Sequence, residues 1–91
     1  MTPVKLSNQS IEFLNKLESK QFKQLAKRVF GLQNETFPND MRHMTGWPGY
    51  YRLDNGEFRI IYLPKESVIE ISCIGKRNDD QVYRDFERLQ K

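Results

Sequence analysis

This sequence has almost none of the side chains from which disulfides and metal centres are built. Its 91 residues include one cysteine, Cys73, and one histidine, His43. A single cysteine excludes an intrachain disulfide, and one residue of each kind is too few for a structural zinc site. A structural zinc site is therefore not expected, no cofactor is expected either, and the lone thiol suits a reducing compartment. Long apolar runs are missing too. The N-terminal stretch MTPVKLSNQSIEFLNKL has no signal-peptide core, and no segment is apolar enough to cross a membrane. A cytoplasmic protein with no membrane partner is the expectation. There is no Gly-x4-Gly-Lys-[Ser/Thr] phosphate loop. Repeats, low-complexity tracts and linkers are lacking, so residues 1–91 read as one domain with a small core.

Charge is present but modest, at a net +3. It permits an anionic partner without demanding one. The excess lies in residues 1–45, with seven Lys/Arg against four Asp/Glu; residues 46–91 carry eight of each. A nucleic-acid site in the second half must therefore come from placement and not from bulk charge.

The apolar spacing predicts a strand at Val4–Ser7 and a helix capped by Ser7 or Asn8 that runs to about Glu18, with Ile11, Leu14 and Leu17 on one face. A second helix spans about Lys20 to Gln33, with Phe22, Leu25, Ala26, Val29 and Phe30 at helical spacing. Lys20, Lys23, Lys27 and Arg28 occupy its other sides, as either a solvated surface or one that faces an anionic partner. Residues 34–49 read as a loop. Strands follow at Tyr50–Asp54, Glu57–Leu63 and Val68–Ile74, then a helix from about Asp79 to Leu89 with Val82, Phe86 and Leu89 on one side. The fold class is α+β, in the order β-α-α-β-β-β-α, with a mostly antiparallel sheet packed against helices.

Asn55-Gly56 is a strong hairpin signal. A two-residue loop there would pair Leu53 with Phe58 and Arg52 with Arg59. Alternation then puts Tyr51, Leu53, Phe58, Ile60 and Tyr62 on an apolar face, and Arg52, Asp54, Glu57, Arg59 and Ile61 on the other. Two arginines directly opposed, with β-carbons roughly 5 Å apart, can grip a phosphate, or can be neutralised by Asp54 and Glu57 on a merely solvated face. Further on, Gly75-Lys76-Arg77 ends the third strand, Gly75 allowing an unusual backbone angle or a close approach. Tyr83 lies one turn into the last helix. Cys73 alternates with Ile69 and Ile71, as a buried strand thiol would. Asp79 and Asp80 suit the positive start of the last helix.

The ordered strings Met44-Thr45-Gly46, Tyr51-Arg52-Leu53, Gly56-Glu57-Phe58-Arg59-Ile60-Ile61-Tyr62, Ile74-Gly75-Lys76-Arg77 and Val82-Tyr83 resemble those of RelE-type toxins in the RelE/ParE superfamily. The resemblance implies the toxin of a type II toxin–antitoxin system, a ribosome-dependent endoribonuclease that cuts mRNA in the A site without a metal. Its implied partners are a cognate antitoxin, in a toxin–antitoxin hetero-oligomer, together with the ribosome and mRNA. Carried over by position, Arg59 is similar to the family's phosphate-binding arginine. Arg77 is similar to the arginine that stabilises charge and protonates the leaving group, and Tyr83 to the tyrosine near the 2′-hydroxyl. Arg52 stands where some members have lysine. Lys76, Trp47, Lys23 and Lys27 are candidate RNA contacts. Asp54 departs from the pattern, because well-known members carry a basic residue there. It is a candidate base, as is His43, yet it also repels a phosphate. Arginine is a poor proton acceptor, so Arg52 cannot simply take over a lysine's role. Two alternatives share the fold: a ParE-like inhibitor of DNA gyrase without nuclease activity, and an attenuated homologue kept as an antitoxin-binding module.

Overall fold

A computed structural model describes residues 1–78 and 80–90. Its elements are β1 (Val4–Leu6), α1 (Asn8–Asn15), α2 (Ser19–Gly31), β2 (Arg42–His43), β3 (Tyr51–Asn55), β4 (Phe58–Pro64), β5 (Ile69–Lys76) and α3 (Gln81–Leu89). They form a five-stranded sheet in the order β1-β5-β4-β3-β2. The expected α+β class holds. The sheet is mixed: β1 runs parallel to β5, and the other pairs are antiparallel.

Ser7 starts α1 as the sequence suggests. Its hydroxyl accepts the Ser10 amide at 3.1 Å and donates to the Ser72 carbonyl at 2.9 Å, tying the helix start to β5. Past the end of β1, Gln9 serves as a surrogate strand. Its side-chain amide donates to the Ile74 carbonyl at 2.7 Å and accepts the Ile74 amide at 2.9 Å. These bonds satisfy backbone groups that a three-residue β1 leaves open.

Helices α1 and α2 cover one sheet face through Leu14, Leu25, Val29 and Leu32, which pack on Leu53, Phe58, Ile60, Tyr62, Ile69, Ile71 and Ile74. The Tyr62 hydroxyl donates to the Thr36 carbonyl at 2.9 Å, and burial pushes its pKa up to about 12. Phe22 and Phe30, expected on the inner side of α2, remain exposed, as does Ile11 on α1. The narrower stripe Leu25–Val29–Leu32 fills the space against the sheet.

The other face is covered by α3 and the segment before β3. Met44, Ile61, Cys73, Val82 and Phe86 form a second small core, with Trp47, Tyr50 and Tyr83 at its margin. Leu89, expected beside Val82 and Phe86, is exposed instead. The supposed loop 34–49 contains β2, which pairs with β3; two residues are too short to show alternation in sequence.

Two features of register decide what reaches this second face. First, the hairpin turns on Gly56-Glu57, with Asn55 paired to Phe58. Only Gly56 among the turn residues has positive φ, at 62°, matching the glycine-first two-residue turn and not the Asn-Gly one. The expected Arg52–Arg59 pairing is thereby corrected. Arg52 faces Ile61, and Arg59 faces Asp54. The face assignment survives, because the pairing moves by an even step. Glu57 alone leaves the strand face for the turn.

Second, β5 carries an extra residue. Ile61 pairs with Cys73 and Tyr62 with Ile71, so Ser72 is bulged out. Ile69 and Ile71 point to the main core, whereas Cys73 lies on the opposite face under α3. This corrects the expected sharing of one face by Ile69, Ile71 and Cys73. Without the bulge Arg77 would follow Ile71 toward α1 and α2; with it, Arg77 follows Cys73 and Gly75 to the arginine face.

Candidate nucleic-acid interface

Arg59 is the hub of that face. Its Nε donates to Asp54 Oδ1 at 2.7 Å and its Nη2 to Oδ2 at 3.3 Å. Its Nη1 donates to the Tyr83 hydroxyl, and its guanidinium carbon lies 5.1 Å from the centre of the Tyr83 ring. The side chain is only 12% exposed, while Asp54 is 33% exposed. Arg77 reaches the same carboxylate from outside, with Nε 3.9 Å from Asp54 Oδ2, and its Nη1 donates to the Gly56 carbonyl at 3.3 Å. At 49% exposure it is the open cation of the set. Its amide bonds the Glu57 carbonyl at 3.0 Å, extending the β4–β5 ladder by one rung and fixing where the side chain starts.

The hydrogen bond from Arg59 holds the Asp54 carboxyl below its ordinary pKa, against desolvation and helped by the charges of Arg59, Arg77 and Arg52. The same bond raises the Arg59 pKa. Asp54 is thus a firm anion and a weak proton acceptor in this arrangement.

Close packing sets Tyr83 in place. Gly75 faces Arg59 across β4 and β5. A β-carbon there would lie 2.8 Å from Val82 Cβ and 3.3 Å from Val82 Cα. Gly75 therefore serves close approach, with α3 lying directly on the strand and carrying Tyr83 over Arg59. Asp80 starts α3 with a left-handed backbone, φ 57°, and no capping bond from its side chain. Asp80 thus sits at the positive start of α3, as expected, although its side chain makes no capping bond; Asp79 lies outside the described residues. Beneath α3 the Cys73 thiol donates to the Val82 carbonyl at 3.6 Å, and burial pushes its pKa up to about 12.

Beside this cluster is a cleft of about 240 Å³ lined by residues including His43, Thr45, Trp47, Arg52, Tyr83 and Glu87. Trp47 packs edge-on to Phe86, ring centres 5.0 Å apart, and so anchors its loop on α3 while lining the cleft. Tyr50 also packs on Phe86 and donates to the Gln90 side chain at 3.1 Å. His43 lies 4.8 Å, ring to ring, from Tyr51. Tyr51 in turn packs with Phe37 and Tyr62 at the edge of the main core.

The residues singled out from sequence divide accordingly. Arg52, Asp54, Arg59, Arg77 and Tyr83 share one face; Trp47 and His43 border its cleft. Lys76 pairs with Phe58 and lines a groove with Phe13 and Leu17, on the side of α1 and α2. Lys23 and Lys27 are exposed on α2, which covers that same opposite face. Sequence reasoning missed Arg42, which pairs across β2 and β3 with Arg52, and Glu87 in the cleft. The Val82–Phe86 spacing puts Glu87 beside the apolar stripe of α3 and could have suggested it; no sequence signal marks β2.

No protein-family model and no curated protein matches this sequence. Solved structures do match. An arginine double mutant of the E. coli toxin RelE in the free state superposes with a TM-score of 0.79 at 17% identity, covering 97% of this chain and 96% of that one. RelE in a RelE–RelB complex from Pyrococcus horikoshii gives 0.73 at 25% identity, covering 86% and 97%. A RelBE toxin–antitoxin complex from Mycobacterium tuberculosis gives 0.71 at 16%, covering 84% and 98%. The chain has the RelE-like toxin fold.

Proposed function

We propose that this protein is the toxin of a type II toxin–antitoxin system and an endoribonuclease that cuts mRNA in the ribosomal A site. The observation that carries the reading is the convergence of Arg59 on β4 and Arg77, just past β5, on one anion, with the Tyr83 hydroxyl of α3 bonded to Arg59. In free protein that anion is the Asp54 carboxylate. A phosphodiester presents the same kind of acceptor oxygens and would approach Arg59 and Arg77 beside that carboxylate.

The reaction uses the RNA's own 2′-hydroxyl. Its oxygen attacks the adjacent phosphorus as the bond to the 5′-oxygen breaks, leaving a cyclic phosphate and a free 5′-hydroxyl. Charge accumulates on the phosphate oxygens in the transition state, and fixed guanidinium groups stabilise it most where water is excluded. Arg59, held by Asp54 and Tyr83, fits that role. Arg77, more exposed, suits the leaving-oxygen side. In this reading the Tyr83 hydroxyl, bonded to Arg59, serves the nucleophile's side. Arg52 adds positive charge at the cleft. Asp54 is a weak candidate base because Arg59 depresses its pKa; His43, turned against Tyr51, is a second. No step requires a metal.

An antitoxin is the expected partner, in a hetero-oligomer, and the cytoplasm the expected location. One observation supports a milder version: the Asp54 carboxylate already occupies Arg59, as in an attenuated homologue that retains antitoxin binding. The test is primer extension on mRNA translated by purified ribosomes. Cuts inside codons, lost in Arg77→Ala, support the nuclease. Intact mRNA with an undiminished antitoxin complex supports the attenuated form. Intact mRNA with accumulating gyrase-cleaved DNA supports a ParE-like toxin.

A further inference from the structure

Arg42 and Arg52 are cross-strand neighbours on β2 and β3. Like charges directly opposed in a sheet are unfavourable unless an anion joins them. Arg59 and Arg77 have Asp54. Among the described residues, Arg52 makes no ion pair, and the Arg42 side chain donates only to the adjacent Met41 carbonyl, at 3.0 Å. Arg52 also lines the cleft that Trp47 and Tyr83 border. At about 240 Å³ the cleft falls below the roughly 300 Å³ at which drug-sized sites begin, so it suits a single base. Its charged wall beyond Arg52 is Glu87, a carboxylate that can accept from the N–H edge of a base.

We infer that Arg42 and Arg52 form a second phosphate site, separate from Arg59, which binds a nucleotide of single-stranded nucleic acid while its base enters the Trp47–Tyr83 cleft. The inference rests on the nucleic-acid reading above but not on cleavage. Paired guanidiniums supply a planar, multidentate grip on a phosphodiester. The aromatic margin supplies a stacking surface that accepts any base. With Asp54 engaging Arg59, this pair is where an incoming phosphate finds cations without a carboxylate in contact. The strand then continues toward Arg77 and Arg59, so the site would set which phosphate arrives there.

Trp47 is the only tryptophan, so its emission reports the cleft directly. The probe is a single-stranded 2′-deoxy trinucleotide, which lacks the attacking hydroxyl and cannot be cut. It should quench Trp47 saturably in the full-length protein, and inorganic phosphate should compete. Arg42→Gln and Arg52→Gln should each weaken binding by about tenfold and lower the salt dependence by about one counterion. Lys5→Gln removes the same charge from β1, at the far end of the sheet, and should bind as wild type. Thermal melting of each variant checks folding, and Arg42→Lys, keeping the charge without the fork, should recover part of the loss. Equal binding by Arg42→Gln and wild type would overturn the site. So would an equal loss in Lys5→Gln, which would mean bulk charge alone. Arginine-dependent binding without mRNA cutting would leave this site standing and remove the nuclease; cutting with no effect of Arg42→Gln on binding would do the reverse.

Discussion

Replacing Asp54 with asparagine should move stability and RNA affinity in opposite directions. The carboxylate contributes to folding through its two contacts with Arg59, whose guanidinium is largely buried. Charge-assisted hydrogen bonds contribute about 1.5–3 kcal/mol and exposed ion pairs about 0–1 kcal/mol. With Asp54 one-third exposed, solvent screening places this pair between those limits, at about 1–2 kcal/mol. An asparagine oxygen keeps one bond from the guanidinium without the ion pairing, so the net loss should be about 1 kcal/mol. For binding the sign reverses. A phosphate on Arg59 would sit on the order of 6 Å from the carboxylate, where two unit charges repel by about 0.7–3 kcal/mol for effective dielectrics of about 80 to 20. Asp54→Asn should therefore bind a fluorescent 2′-deoxy oligonucleotide about tenfold more tightly, by anisotropy, while its urea midpoint falls. A variant with lower stability and unchanged or weaker binding would refute the idea that Asp54 competes with phosphate for Arg59. One with unchanged stability would refute the ion pair as a structural contact.

Other expectations follow from the same geometry. Because the Asp54 pKa is lower folded than unfolded, its contribution is fully present above the unfolded value of about 3.9 and is lost as pH falls through the folded one; the stability gap between wild type and Asp54→Asn should close below about pH 4 in urea titrations. Gly75→Ala forces a β-carbon against Val82 and should cost about 1–3 kcal/mol by overpacking, with a matching fall in melting temperature. The same variant should loosen α3 and make Cys73, shielded in wild type, react with a thiol reagent well before global unfolding. Tyr83→Phe removes the hydroxyl that Arg59 bonds and should lower RNA cutting by about tenfold or more while leaving the melting temperature within a degree or two.

The longer strands, the helices and their order were legible in sequence because each carries a signal of its own: a run of β-branched and aromatic residues in β4 and 3.6-residue spacing in α2. The sharing of a face by Arg52, Asp54 and Arg59 was legible too, since it depends only on parity. Partners were not. Asn55-Gly56 suggests one two-residue turn and the chain adopts the next, exchanging an Arg52–Arg59 contact for an Asp54–Arg59 ion pair. Nor does sequence mark the Ser72 bulge, which transfers Cys73 and Arg77 across the sheet. The bulge answers to tertiary packing: Ser7 takes the freed Ser72 carbonyl, and α3 lies against the glycine of β5. Two-residue β2 is beyond any periodicity, and Arg42 was hidden with it.

If Arg59, Arg77 and Tyr83 together cut RNA, primer extension on mRNA held on purified translating ribosomes separates wild type from a folded Arg77→Ala. Wild type should cut within codons, leaving 5′-hydroxyl ends, and the variant should not cut. Uncut mRNA with wild-type protein, or equal cutting by both, would contradict that role.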